Sequence, residues 1–172
     1  CFMCSSFHSV LSICSLVHAF KLTSAVSEQM ARVHHVSNLY YIPNQGELAK
    51  KLVATSCHDK AFFCNSGAEA NEAALKLARR WHRDRGDNRY AIVAFHGSFH
   101  GRTLFTVSTT GTPAYWQGFE PMVPGVVFAE FGALASVEAV LSDQTAALLI
   151  QPAHGESGAR PAPPGAPPPR PP

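Results

Sequence analysis

Two short segments of this chain carry residue types that could contribute to a ligand site. The first, residues 65–72, joins the apolar run 61–64 to a strongly periodic helical pattern. Ser66 is a good helix N-cap and Glu69, three residues on, completes a capping box, so we expect a helix to begin here. Gly67 lets the backbone approach a bound group, and the free amides of the first turn favour a phosphate. A capped helix that binds nothing is the alternative.

The second segment, residues 94–103, reads A-F-H-G-S-F-H-G-R-T and follows the apolar residues 90–95. Two such segments suggest one ligand held between them. On residue type alone, however, Phe99 is an ordinary core aromatic and Arg102 a solvated surface charge. His96 and His100 are four residues apart, but the glycine between them makes them turn residues before metal ligands.

Three ordered motifs resemble those of the class III aminotransferases, which use pyridoxal phosphate (PLP). They are N-S-G-A-E-A-N-E-A-A-L-K-L-A-R, then F-H-G-S-F-H-G-R-T, then Q-P-x-x-G-E-x-G at residues 151–158. The resemblance covers roughly residues 25–161. It implies PLP as the cofactor, small-molecule amino acid and 2-oxo acid substrates, and a homodimer in the parent enzyme.

The resemblance also implies a cofactor-binding role for five residues. The amides of Gly67 and Ala68, in the helix start capped by Ser66, match those that hold the cofactor phosphate. Phe99 matches the aromatic residue that stacks on the pyridine ring. His100, directly after it, is expected to contact the cofactor.

Three further matches are implied on the substrate side. Arg102 matches a residue that binds the substrate carboxylate, which a guanidinium can grip with two parallel hydrogen bonds. Glu156 matches the acidic residue of the G-E-x-G turn, which helps to distinguish an amine-bearing side chain from a second carboxylate. Tyr41 aligns with a tyrosine that contacts the substrate.

The chain departs from the family in two respects. Where the family has Glu-Pro-Val-Gln-Gly-Glu, residues 151–156 carry a neutral Gln151 and an imidazole at His154. PLP transamination also needs a Schiff-base lysine and an acid partner for the pyridine nitrogen. The family's lysine follows the G-E-x-G turn, whereas every lysine here precedes Phe99; they are Lys21, Lys50, Lys51, Lys60 and Lys76. We therefore assign no catalytic residue and expect a catalytically incomplete fragment.

The order of patterns predicts an α/β fold. Helical patterns occupy residues 27–33, 45–54, 68–83 and 134–141, and strand candidates occupy 90–95, 125–128 and 146–150. The resemblance specifies a partial large domain of a fold-type I PLP-dependent transferase, with a mostly parallel sheet and flanking helices. In the helix at 68–83, an apolar stripe that includes Leu77 and Trp81 predicts the core face, leaving Lys76, Arg79 and Arg83 for solvent.

Three regions are expected along the chain: an atypical N-terminal segment at 1–24, the partial aminotransferase domain at 25–160, and a proline-rich disordered tail at 161–172. The 172 residues are 46% apolar with a net charge of +2, which gives no sign of a nucleic-acid partner. No apolar run is long enough to span a membrane. Cys1 and Cys4 lack a second pair that would complete a zinc site.

Five cysteines without secretory context predict a soluble protein of a reducing compartment. The family resemblance implies the mitochondrial matrix or a plastid in a eukaryote, and the cytoplasm otherwise. Three alternatives stay open. The parent enzyme could act on ornithine or another ω-amino acid, the chain could be a non-catalytic dimerisation partner of the intact enzyme, or it could be a bare phosphate-binding module.

Overall fold

The computed structural model of the chain describes residues 19–37, 39–154 and 160–161. The described residues up to 62 form one compact unit, and those from 63 onward form a second. The predicted tail beyond Pro161 and the segment before Ala19 lie outside the described residues. The expected division into 1–24, 25–160 and 161–172 stays a prediction.

The first unit contains two helices, α1 (Ala19–Arg32) and α2 (Pro43–Ala54). Helix α1 begins eight residues before the predicted pattern at 27. Helix α2 begins at a proline, whose fixed φ and missing N–H suit the first helical position. The Asn44 side-chain amide donates a hydrogen bond of 2.9 Å to the Gln29 side-chain oxygen, which joins the two helices.

The second unit is built on a three-stranded parallel sheet in the order β2-β1-β3. The strands are β1 (Ala91–Phe95), β2 (Val126–Ala129) and β3 (Thr145–Leu148). Val93 of β1 pairs with Val127 on one side and Leu148 on the other. All five residues of β1 are buried, as the continuous apolar sequence A-I-V-A-F predicts for a central parallel strand. The α/β prediction is confirmed.

Helices cover both faces of the sheet. On one face, helix α3 (Gly67–Asp84) places Leu75 against Ile92 and Phe105. On the other, α5 (Leu134–Val140) contributes Val137 to the cluster of Val93, Phe95 and Ala129. Neighbouring residues of a strand point to opposite faces, so β1 supplies both cores. Helix α4 (Leu104–Ser108) and a short 3-10 turn (Pro113–Tyr115) connect β1 to β2.

The remaining strands form a small antiparallel pair, β4 (Ala153–His154) and β5 (Arg160–Pro161). They follow β3 in the region of the third sequence motif. Within the described ranges, no helix has the length and apolar character needed to cross a membrane.

The predicted core stripe of α3 is wrong in its C-terminal half. Leu77 is 58% exposed and Trp81 47% exposed, whereas the polar His82 is buried. Arg79, expected in solvent, donates hydrogen bonds of 2.9 Å to the carbonyls of Tyr90 and Pro124. The buried face of the helix differs from the predicted one because His82 and Arg79 lie on the sheet side. Apolar periodicity does not predict the burial or hydrogen bonding of polar side chains.

Candidate functional site

The start of α3 is fixed by the predicted cap. Ser66 has an extended backbone, and its hydroxyl accepts a hydrogen bond of 3.2 Å from the Glu69 amide. The Ser66 carbonyl accepts from the Ala70 amide at 3.1 Å. The Glu69 carboxylate accepts from the Asn65 amide at 2.6 Å, one residue before the position that a capping box uses. The helix start is therefore held from both sides, as the sequence predicts.

The first turn of α3 has two further backbone N–H donors, the amides of Gly67 and Ala68. Neither has an acceptor within the part of the chain that the structure describes, because helix geometry gives the first amides no internal partner. Both residues are partly buried. Together with the positive end of the α3 dipole, these two amides are suited to an anion.

The loop that follows β1 lies directly on this helix start. Gly101 is buried with φ +130°, and a Cβ added to it would lie 2.7 Å from the Cβ of Ala68. The side-chain amide of Asn71 donates to the carbonyl of His100 at 2.8 Å. The Thr103 hydroxyl donates to the Glu72 carboxylate at 2.6 Å. The two sequence motifs thus form one continuous surface, although nothing in their spacing along the chain required it.

A second set of contacts fixes the shape of this loop from the other side. The Gly97 amide donates to the Gly111 carbonyl at 2.9 Å, and the His100 amide donates to the Thr110 hydroxyl at 3.1 Å. A Cβ on Gly111 would collide with the carbonyl oxygen of Phe95. His100 itself is only 3% exposed. The loop is thus held between α3 and residues 110–111.

Phe99 is held by a residue to which sequence analysis gave no role. Its amide donates to the side-chain oxygen of Gln151 at 2.8 Å. Gln151 stands where the family resemblance places a glutamate, and an amide oxygen can accept this bond as a carboxylate would. The available signal was its position after β3, because the carboxyl ends of neighbouring parallel strands meet at one edge of the sheet.

Arg102 is exposed and lies over two aromatic rings. Its guanidinium carbon is 4.4 Å from the ring centroid of Tyr115 and 5.8 Å from that of Phe99. The two rings meet edge to face at 6.0 Å. Arg102 forms no ion pair with a carboxylate among residues 19–37, 39–154 and 160–161. Within those ranges, no carboxylate engages its N–H groups.

Two predicted site residues are not among the described residues of this unit. Tyr41 belongs to the first unit, where its side chain is exposed. Glu156 lies outside the described residues. The surface in the second unit consists of Ser66, Gly67, Ala68, Phe99, His100 and Arg102. The ligand roles of all eight residues stay predictions.

The sequence and the fold of this chain match a known protein family. The family model for class-III aminotransferases matches residues 13–166, and the chain belongs to that family. It is 50% identical to the acetylornithine aminotransferase of Thermosynechococcus vestitus in an alignment of 159 positions that covers 88% of this chain and 39% of that enzyme. It is 51% identical to the acetylornithine aminotransferase of Neisseria meningitidis serogroup A over 142 residues, 82% of this chain and 36% of that enzyme. The chain thus spans less than two fifths of these relatives.

Solved structures give the same fold. The (S)-enantioselective omega-transaminase of Thermomicrobium roseum superposes with a TM-score of 0.72 at 31% identity, covering 78% of this chain and 36% of that one. The ornithine aminotransferase of Toxoplasma gondii, whose structure has PLP at partial occupancy in its active site, superposes with a TM-score of 0.75 at 24% identity. That match covers 81% of this chain and 34% of the other, and it shows the fold alone. The fold is part of a PLP-dependent transaminase, and PLP is the cofactor of the family.

Proposed function

We propose that this chain forms the cofactor-binding surface, and part of the substrate-binding surface, of an acetylornithine aminotransferase. Such an enzyme transfers an amino group between N-acetylornithine and 2-oxoglutarate in arginine biosynthesis. Identities of 50% and 51% to enzymes of that name support the assignment. The observation that carries it is the contact of Gly101 with Ala68, because it brings the Phe99 loop onto the first-turn amides of α3.

The residues present fit the phosphate of PLP. In the proposed complex, the amides of Gly67 and Ala68 donate to phosphate oxygens at the positive end of α3. The Ser66 hydroxyl accepts from the Glu69 amide and fixes the helix start, and its own O–H can still donate to a phosphate oxygen. Gly101 has no side chain, so the loop comes close to the helix start and flanks the phosphate.

The residues also fit the pyridine ring. The partly buried ring of Phe99 offers an apolar face for stacking, and its backbone is fixed by Gln151. His100 is buried, and both its amide and its carbonyl are engaged, so we propose that it supports this loop besides contacting the cofactor. When bound, PLP supplies the electron sink that permits amino transfer.

On the substrate side, the proposal assigns Arg102 to the carboxylate. A guanidinium that forms no ion pair within the described ranges can form two parallel charge-assisted hydrogen bonds with a bound carboxylate. Tyr41 and Glu156 keep their proposed substrate roles on the family resemblance alone.

The same proposal places the lysine that bonds to the cofactor outside these 172 residues. All five lysines are exposed, and only Lys76, on α3, belongs to the second unit. The 36% to 39% coverage of the relatives is compatible with a longer enzyme that supplies this lysine. The chain alone would then not turn over, and the parent enzyme would be a homodimer.

A related substrate, ornithine or another ω-amino acid, is the alternative, since the chain is also 31% identical to an omega-transaminase. The experiment measures glutamate formation from 2-oxoglutarate with N-acetylornithine or ornithine as donor. A longer natural polypeptide that contains this sequence is compared with the 172-residue chain. We expect the longer protein to prefer N-acetylornithine and the shorter one to be inactive. A preference for ornithine would support the alternative, and turnover by the 172-residue chain would refute the assignment of the lysine.

A further inference from the structure

The 3-10 turn that carries Tyr115 is fixed from within the protein. The turn begins at Pro113, and the Tyr115 amide donates to the Thr112 carbonyl at 3.0 Å. The next residue, Trp116, anchors it: its indole N–H lies 2.9 Å from the Val107 carbonyl and 3.0 Å from the Thr110 carbonyl. The position of Tyr115 is therefore set before any ligand binds.

The ring of Tyr115 touches two residues of the proposed site at once. It meets the ring of Phe99 edge to face, with centroids 6.0 Å apart and planes at 80°. It also lies beneath the guanidinium of Arg102, whose carbon is 4.4 Å from its centroid. Arg102 is nearer to Tyr115 than to Phe99, so Tyr115 is the main support of this exposed side chain.

We propose that Tyr115 is a positioning residue that holds the carboxylate-binding Arg102 at a fixed place relative to the ring-stacking Phe99; this inference rests on the proposed function. A long arginine side chain in solvent samples many rotamers, and selecting one on binding costs entropy. Contact with an aromatic face stabilises the cation without a hydrogen bond from its N–H groups to a carboxylate or carbonyl oxygen. The guanidinium thus keeps its N–H groups for the substrate.

The contacts of Tyr115 also affect the distance between the cofactor-binding and carboxylate-binding groups. Phe99 would set the place of the cofactor ring and Arg102 that of the substrate carboxylate. Since one tyrosine contacts both, it fixes the distance between the two binding groups. Exposed cation–π contacts are weak, so the expected loss of carboxylate affinity on removing the ring is about two- to fivefold.

Two measurements test separately whether Arg102 contacts the Tyr115 ring and whether this contact strengthens carboxylate binding. Side-chain NMR of the 172-residue chain reports the ring-current shift of the Arg102 Hε proton, without any ligand. Isothermal titration calorimetry with 2-oxoglutarate, in the presence of saturating PLP, reports carboxylate affinity. The variants are Tyr115→Leu, which removes the aromatic face, Tyr115→Phe, which keeps it, and Arg102→Gln, which removes the cation.

We expect a shifted Arg102 Hε signal in the wild type and in Tyr115→Phe, and its return to the random-coil position in Tyr115→Leu. Affinity for 2-oxoglutarate should fall about two- to fivefold in Tyr115→Leu, stay near the wild-type value in Tyr115→Phe, and be lost in Arg102→Gln. An unshifted signal in the wild type overturns the inference even if Tyr115→Leu does not fold. Equal affinity of the wild type and Tyr115→Leu, with loss in Arg102→Gln, overturns it while leaving the proposed function intact. Equal affinity of the wild type and Arg102→Gln overturns both.

Discussion

Gly101 lies so close to Ala68 that a side chain at position 101 would overlap it. A Cβ there would be 2.7 Å from the Ala68 Cβ, 3.1 Å from the Ala68 Cα and 2.7 Å from the Thr106 hydroxyl oxygen, and the backbone φ of +130° is one that side chains disfavour. This contact joins the helix that begins with S-G-A-E-A-N-E to the loop F-H-G-S-F-H-G. Both the stability of the second unit and the proposed cofactor site depend on it.

Replacing Gly101 by alanine should therefore destabilise the protein beyond the cost of the unfavourable φ. The overlap with Ala68 should add about 1–3 kcal/mol to the loss of unfolding free energy. Gly118→Ala is the matched control, because Gly118 also has a positive φ, +86°, but has nothing within 4 Å of its Cβ position. Urea unfolding of both variants makes the comparison. Equal losses of unfolding free energy in the two variants would show that the close approach of Gly101 to Ala68 does not affect stability.

Gln151 supports Phe99 through a single acceptor atom. Gln151→Leu should leave the partly buried Phe99 amide without a partner, at a cost of about 1–3 kcal/mol in unfolding free energy. Gln151→Glu keeps an acceptor of similar reach and should recover most of that loss. Hydrogen exchange of the Phe99 amide offers a direct reading: protection should fall in the leucine variant and return in the glutamate variant. Unchanged protection in Gln151→Leu would mean that the bond does not form in solution.

Ser66 allows helix stability and anion binding to be separated. Ser66→Ala removes the cap on Glu69 and should cost about 0.5–2 kcal/mol in unfolding free energy. Ser66→Asp keeps a capping oxygen but adds a negative charge beside the proposed phosphate site, so stability should hold while PLP affinity falls. Thermal unfolding and PLP titration of the two variants are compared. If Ser66→Asp binds PLP as tightly as the wild type does, the phosphate does not lie at this helix start.

The C-terminal end of α3 gives a pH-dependent prediction. Asp87 lies 2.9 Å from the His82 ring and 3.0 Å from Arg89, and the His82 hydrogen bond, aided by the Arg89 charge, holds the pKa of its carboxyl below the usual value. A carboxyl whose pKa is lower in the folded state stabilises the protein above its unfolded-state pKa of about 3.9, and that stabilisation disappears on further acidification.

The stability advantage of the wild type over Asp87→Asn should therefore be full above about pH 5 and shrink as the pH falls toward 2. Unfolding free energies measured across this range give the comparison. The control is Asp84→Asn, which breaks an exposed pair with Arg80 and should have little effect. An advantage over Asp87→Asn that does not change with pH would contradict the account of Asp87.

The sequence predicted those parts of the fold that local chemistry determines. Ser66 and Glu69 marked the start of α3, and the apolar run ending at Phe95 marked the central strand. The face of α3 was mispredicted at Trp81, because the burial of His82 and the hydrogen bonds of Arg79 depend on carbonyls contributed by distant segments. Polar partners of this kind cannot be read from apolar periodicity.

Residues of the candidate site could likewise be predicted only where the local sequence carries a pattern. Gly67, Phe99 and Arg102 could be proposed from motifs, because their local sequence carries the pattern. The supporting roles of Gln151 and Tyr115 could not be read from a motif, although the position of Gln151 after β3 was a signal. Each acts on a residue elsewhere in the chain: the Gln151 side chain reaches the Phe99 amide, and the Tyr115 ring reaches Arg102. Only the pairing of β1 with β3 and the turn that follows α4 bring them there.

The most direct test of the central claim is equilibrium dialysis of the 172-residue chain against PLP, pyridoxal and inorganic phosphate. The account predicts saturable binding of PLP, affinity for pyridoxal at least about tenfold weaker because two charge-assisted hydrogen bonds are lost, and weaker binding of phosphate because the Phe99 contact is lost. Equal affinities for PLP and phosphate would indicate a bare phosphate-binding module. Equal affinities for PLP and pyridoxal would contradict the phosphate site at Gly67 and Ala68.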